Sequence, residues 1–203
     1  MTCLEGRNNR LEMDNITEYL FNEYKVRIEE IGSGLSAPVD IDKYDKYLNI
    51  EEDHEFNRCF LITVQHFGEL QTVFLSAPYY TPSDAFVAPH KDGLLFAMNE
   101  IIGVFDPRTL DFEIKAEIEM LGTLIAVYPY KNDYILYGEL EIYRVSESME
   151  ILWDFSGRDI FVKCYGDQPT FQMKEDRICL YDFEDNYYEI SYDGKIIADI
   201  PAK

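Results

Sequence analysis

The stretch DRICLYDFEDNYYEISYDGKIIADI, residues 176–200, decides the fold of this chain. It reads as an apolar strand, an acidic turn, an alternating strand, a second turn and a closing strand. Within it Tyr188, Ile190 and Tyr192 fall on one face, and Tyr187, Glu189 and Asp193 on the other. A period of two marks a strand with one buried side and one wet side. Asp185-Asn186 and Asp193-Gly194 are turn formers, because these residues tolerate tight or left-handed backbone.

Two earlier stretches repeat this layout. One is GLLFAMNEIIGVFDPRTLDFEIKAEI, with Asp106-Pro107 at a turn, and the other is DYILYGELEIYRVSESMEILWDFS. The first strands begin near Gly93, Asp133 and Asp176, spacings of 40 and 43 residues, which gives units near 93–121, 133–156 and 176–200. In the first unit Phe112, Ile114, Ala116 and Ile118 oppose Glu113, Lys115, Glu117 and Glu119. In the second, Met149, Ile151, Trp153 and Phe155 share a face opposite Glu150, Leu152 and Asp154. Trp153, the single tryptophan, is therefore expected to pack inward beside Ile151 and Phe155, and Ser156-Gly157-Arg158-Asp159 to turn the chain into the next strand. A multi-stranded repeat of this length resembles a β-propeller blade, and the resemblance covers residues 93–200. It departs from the WD40 pattern, since Trp153-Asp154 stands alone without a Gly-His partner. Three units do not close a ring, because propellers start at about four blades. Residues 59–88 would have to supply a degenerate fourth; otherwise the strands form an open meander or a sandwich.

The expected fold class is thus mainly β: an antiparallel meander of blade-like, propeller-like or partial-propeller repeats, plus a small N-terminal helix–strand element. Residues 1–12 are polar and patternless and are expected to be disordered, with Met13 as an alternative start. The segment 13–58 forms an N-terminal element. In it Asp14 or Asn15 caps a short helix whose face carries Ile16, Tyr19, Leu20 and Tyr24, and alternation from Lys25 gives a strand ending at Gly32-Ser33-Gly34. Residues 35–57, broken by Pro38, read as a long loop with a helical turn near Asp42–Leu48. A β-rich domain follows over 59–203, opened by a hairpin at His66-Phe67-Gly68-Glu69.

The chain of 203 residues carries 39 acidic and 18 basic residues, a net charge of −21. Such a charge repels nucleic acid and anionic membrane and favours a basic protein partner. No apolar run is long enough to span a bilayer and no signal peptide opens the chain, so a cytoplasmic location is expected, with Cys3, Cys59, Cys164 and Cys179 reduced. No nucleophile elbow or phosphate-binding loop is present, and His54, His66 and His90 form no triad pattern. Asp40, Asp42 and Asp45, or Asp182, Glu184 and Asp185, lack the glycine and terminal glutamate of a calcium loop. No catalytic residue, metal or cofactor is assigned. The candidate interaction residues are Tyr187, Glu189 and Asp193 on the wet strand face, and Arg158 and Asp159, whose own pairing would close a local turn. The expected function is a non-enzymatic acidic binding module, in the concrete form an immunity- or inhibitor-type protein that blocks a cationic partner. The alternatives are a carbohydrate-binding module or hydrolase with its site in the blade-like sheets, and an assembly subunit.

Overall fold

The computed structural model describes residues 16–21, 23–33, 40–50, 57–78, 85–91, 93–118, 122–163 and 169–202. Every regular element among them is a strand, apart from one 3-10 turn at Ile41–Lys43. The chain divides into two compact units. One holds Met1–Tyr80, Lys91–Leu94 and Phe105–Glu113; the other holds Thr81–His90, Leu95–Val104 and Ile114–Lys203.

The first unit is built on a five-stranded sheet. Its strands are β1 (Ile16–Phe21), β2 (Tyr24–Ser33), β3 (Lys46–Asn49), β4 (Asn57–His66) and β5 (Glu69–Pro78), in the order β1-β2-β4-β5-β3. β4 and β5 form the expected hairpin. Its turn residues Phe67 and Gly68 have φ of 46° and 86°, the left-handed pair that a two-residue connection between twisted strands requires. Register places Val26 opposite Val64, Ile28 opposite Ile62 and Ile62 opposite Val73, so these side chains share one buried face.

The N-terminal helix expected over residues 14–24 is not formed; β1 pairs antiparallel with β2 instead. The apolar spacing of Tyr19 and Leu20 fits either period. β-branched and aromatic content favours the strand, and the two-residue connection after Phe21 lets β2 cover β1 at once. Tyr19 and Phe21 lie side by side with ring centroids 6.1 Å apart, and Lys25 reaches diagonally to Glu18 at 3.0 Å. The expected loop 35–57 also needs correction. Its helical turn sits at Ile41–Lys43, and Lys46–Asn49 is a strand running parallel to β5. Nor do residues 59–88 form a blade of their own, because β4 and β5 are shared with three further strands. Residues 1–15, including Met13 and Cys3, and also Pro38, His54 and Cys164, lie outside the described residues.

Three four-stranded antiparallel sheets follow. They are β6 (Val87–His90), β7 (Gly93–Met98), β8 (Ile101–Asp106) and β9 (Asp111–Glu117); β10 (Leu124–Tyr130), β11 (Asp133–Gly138), β12 (Glu141–Val145) and β13 (Ile151–Ser156); β14 (Phe171–Met173), β15 (Arg177–Tyr181), β16 (Tyr187–Ser191) and β17 (Ile196–Ile200). Each is an up-and-down meander in chain order. The three units read from sequence are present, but each is one strand short: β6, β10 and β14 precede them and complete the sheets. No sheet closes on itself among the described residues.

In the second unit β10–β13 is the middle layer. One of its faces packs Leu124, Val127, Leu136 and Val145 against Ala88, Leu95 and Ile102. Its other face packs Ile125, Ile135 and Ile142 against Ile178, Leu180 and Ile190. Burial falls off across each meander. β11 and β15 are buried in their centres, whereas β13 and β17 are largely exposed, with Ile196 at 59% and Ile200 at 55%.

Trp153 and Phe155 pack against the second core, as expected, but Ile151 is exposed. The indole Nε1–H donates to the Tyr192 carbonyl at 2.9 Å. Beneath the ring lies Gly194, with φ +77°, where a Cβ would stand 2.7 Å from Trp153 Cγ. Gly194→Ala is therefore expected to lower stability by about 2–4 kcal/mol, through left-handed strain and displacement of the indole. Gly68→Ala, with φ +86° and open space around the new methyl, meets only the strain, so it should lose about 1–2 kcal/mol. Urea denaturation of the two variants checks this; equal losses would show that the indole does not depend on Gly194.

Candidate functional site

The strand register of the last sheet sets its two faces. Tyr188, Ile190 and Tyr192 are buried in the second core, while Tyr187 and Glu189 are half-buried and Asp193 is exposed. The alternation read from sequence therefore holds. The outward side chains are not idle, however. Glu189 accepts from the Tyr187 hydroxyl at 2.6 Å and from Arg177 Nη1 at 2.6 Å. Those two donors, Tyr187 first, hold its carboxyl below the ordinary carboxylate range. Burial, with Cys179 and Glu189 alongside, pushes the Tyr187 hydroxyl up.

Arg158 does not pair with Asp159. Its guanidinium reaches Asp199, with Nη2 to Oδ2 at 2.9 Å, and lies over the Tyr188 ring at 5.6 Å. Asp159 Oδ1 instead accepts from the backbone N–H of Ile160 at 2.8 Å. The local pairing expected from sequence is replaced by one that ties the segment after β13 to the last strand.

Behind Arg158 lies Asp182, which is fully buried. Its carboxylate accepts from Asn186 N at 2.9 Å, Asn186 Nδ2 at 2.8 Å and the Tyr188 hydroxyl at 2.8 Å. Tyr188 Oη in turn accepts from Arg158 N at 2.9 Å. Burial pushes the Asp182 carboxyl up, but the bonds from Asn186 and Tyr188 outweigh it, and the net direction is down. Sequence reading placed Asp182 in a turn and missed this role; the short side chain at the start of the turn, with Asn186 four residues on, was the available signal.

The backbone then gathers one end of the second unit. The β11–β12 turn carries Glu139 and leads into Glu141. Phe161 N donates to Glu139 O at 2.6 Å, which draws in the segment bearing Arg158 and Asp159. Phe183 N donates to Ile160 O at 2.7 Å, which brings the β15–β16 turn with Glu184 and Asp185 alongside. Glu139 N bonds Thr123 O at 2.9 Å and Leu124 N bonds Asn99 O at 3.0 Å, so the β7–β8 turn with Glu100 joins the same end. Arg158 and Lys163 are the cations of these segments, and both are taken, by Asp199 and Asp185 respectively. Glu100, Glu139 and Glu184 have no ion-pair partner among the described residues.

The opposite end is more balanced. Arg144 Nε donates to Asp133 Oδ2 at 2.8 Å and its Nη1 to Tyr192 O at 2.6 Å, and the guanidinium faces the Tyr130 ring at 5.1 Å. Asp193 lies there, 3.7 Å from Arg144 Nη1, with Lys131, Lys174 and Lys195 in the neighbouring turns. The five residues singled out from sequence are thus divided. Arg158, Asp159 and Tyr187 belong to the acidic end, Glu189 sits mid-sheet, and Asp193 stands at the far end.

Other polar residues have structural employment. Asp45 Oδ2 accepts from Thr72 N at 2.7 Å, and Asp40 pairs with Lys43 at 2.7 Å. Among the described residues no three His, Cys, Asp or Glu side chains converge as metal ligands. His90 is buried with its Nδ1 2.9 Å from the Tyr134 hydroxyl, which itself donates to Pro89 O at 3.0 Å. His66 stacks on Tyr24 at 4.2 Å. No helix among the described residues is long and apolar enough to cross a membrane. No family model and no curated protein matches the chain.

Proposed function

We propose that the chain is a non-catalytic binding module that docks a basic protein through the acidic end of its second unit. The supporting observation is the gathering of Glu100, Glu139, Glu141, Asp159 and Glu184 by four connections, β7–β8, β11–β12, β13–β14 and β15–β16, whose cations Arg158 and Lys163 are already paired. Desolvating a carboxylate that has no ion-pair partner is costly, so Glu100, Glu139 and Glu184 favour a surface that supplies cations. Exposed Phe183, in the same turn as Glu184, adds apolar area to such a contact. In the manner of an immunity or inhibitor protein, the carboxylates would occupy a basic groove where phosphates otherwise sit. The tethering of the turns to sheet backbone keeps them in place before the partner arrives, which limits the ordering cost of association.

Affinity capture at about 150 mM salt is expected to retain a protein of basic pI, and the association should weaken at least tenfold between about 50 and 300 mM salt. Glu100→Lys, Glu139→Lys and Glu184→Lys together should weaken binding by about a hundredfold. The charge-matched set Glu147→Lys, Glu150→Lys and Asp193→Lys, at the balanced end, should change it by less than about fivefold. Equal losses from the two sets would reduce the interaction to diffuse charge and end the assignment of this surface.

A further inference from the structure

A separate cluster lies in the first unit, on the face of the five-stranded sheet opposite Val64 and Ile62. Register sets Asn49 directly opposite Ser76, and Ser76 opposite Cys59. Asn57, two residues before Cys59 on the same strand, projects to the same side. Asn57 is 3% exposed, and Ser76 and Cys59 are 0%. Both amide atoms of Asn57, the Oδ1 of Asn49 and the Oγ of Ser76 are buried and make no hydrogen bond to any of the described residues.

Polar atoms withdrawn from solvent in native proteins are paired almost without exception. Four orphaned atoms on three neighbouring side chains therefore point to a shared partner. Asn49 and Ser76 stand directly opposite on adjacent strands, about 5 Å apart at Cβ, and Asn57, which pairs with Pro78, is the diagonal neighbour of Ser76, about 7 Å away; a small molecule can bridge either of these two pairs. The cluster offers amide and hydroxyl donors together with carbonyl acceptors, and its three side chains are uncharged. A small molecule that is both donor and acceptor matches these atoms.

We propose that Asn57, Ser76 and Asn49 form a buried hydration site that holds one or two exchange-limited water molecules. One water accepts from Asn57 Nδ2–H and donates to Ser76 Oγ, and a second accepts from Ser76 Oγ–H and donates to Asn49 Oδ1. The bridge ties β3, a parallel edge strand of four residues, to β4 and β5. The intact chain is tested by water-oxygen magnetic relaxation dispersion beside Asn57→Leu and Ser76→Ala. The unchanged chain is expected to show at least one long-lived internal water that Asn57→Leu loses. Equal numbers of such waters in the two proteins would overturn the site. Ser76→Ala, the milder change, should speed amide exchange at Leu48 and Asn49 by roughly tenfold, because the bridge to β3 is weakened. Unchanged or slower exchange would show that Ser76 Oγ bears no partner. A high-resolution crystal structure decides independently of any variant: water density between these side chains supports the proposal, and direct bonds from them to protein groups overturn it.

Discussion

An Asp182→Ala variant is expected to lose about 3–5 kcal/mol of folding stability, because three donors converge on a buried carboxylate and each such bond is worth about 1.5–3 kcal/mol before non-additivity. Truncation leaves the Asn186 amide groups and the Tyr188 hydroxyl without their acceptor in a site closed to solvent. The damage extends further, since Tyr188 also receives the Arg158 backbone N–H. Asp182→Asn keeps one carbonyl oxygen and should lose about half as much. The acid response separates charge from shape. The folded carboxyl sits below its ordinary value of 3.8, so its contribution is complete above that value and disappears as pH falls through the lower folded one. Urea midpoints measured from neutral pH down to about pH 3 should therefore fall less steeply for Asp182→Asn than for the unchanged chain. Parallel profiles would remove Asp182 from the acid response.

The second large effect is at Phe161. Its side chain is fully buried; its ring meets Tyr188 edge-on at 6.0 Å and Phe155 at 6.2 Å. Its carbonyl accepts from the Tyr137 hydroxyl, which burial pushes up to about 12. A Cβ on Gly157 would lie 2.8 Å from Phe161 Cζ, so the ring also presses against the turn that presents Arg158. Phe161→Ala is expected to lose about 3–5 kcal/mol, the range for emptying a core aromatic site. The single tryptophan reports the unfolding, because Trp153 is half-buried and bonded to Tyr192. If the acidic end is the docking surface, Phe161→Ala should weaken the basic partner as well, at temperatures where the chain is still folded. Full affinity in a folded variant would show that the segment 156–163 is not part of that surface.

The meanders were legible because their second to fourth strands alternate or carry turn pairs. The strands that open them were not. Phe171–Met173 is three residues long, and Val87–His90 is a short apolar piece after prolines, so neither displays a period. The β1–β2 hairpin was misread because aromatic and branched residues at mixed spacing satisfy a helical face as readily as a strand. Cross-strand partners decide between the two, and they lie beyond the window of a local pattern. The candidate site shows the same limit. The outward placement of Tyr187 and Glu189 follows from local alternation and was foreseen. The Arg158–Asp199 pair spans 41 residues and the gathering of acidic turns depends on backbone bonds between distant segments, so neither was visible.

The edge strand of the last sheet, β17, carries Ile196, Ile197 and Ile200 in the open, and its outer edge, unpaired among the described residues, could template association with another chain. A bulge between Ile196 and Ala198 distorts that edge, and Pro201 stops it directly after the last strand residue. The remaining safeguard is mutual electrostatic repulsion between molecules at neutral pH. Near pH 4.3, where the net charge vanishes, that colloidal protection lapses, and the shelf life of concentrated solutions should be shortest there.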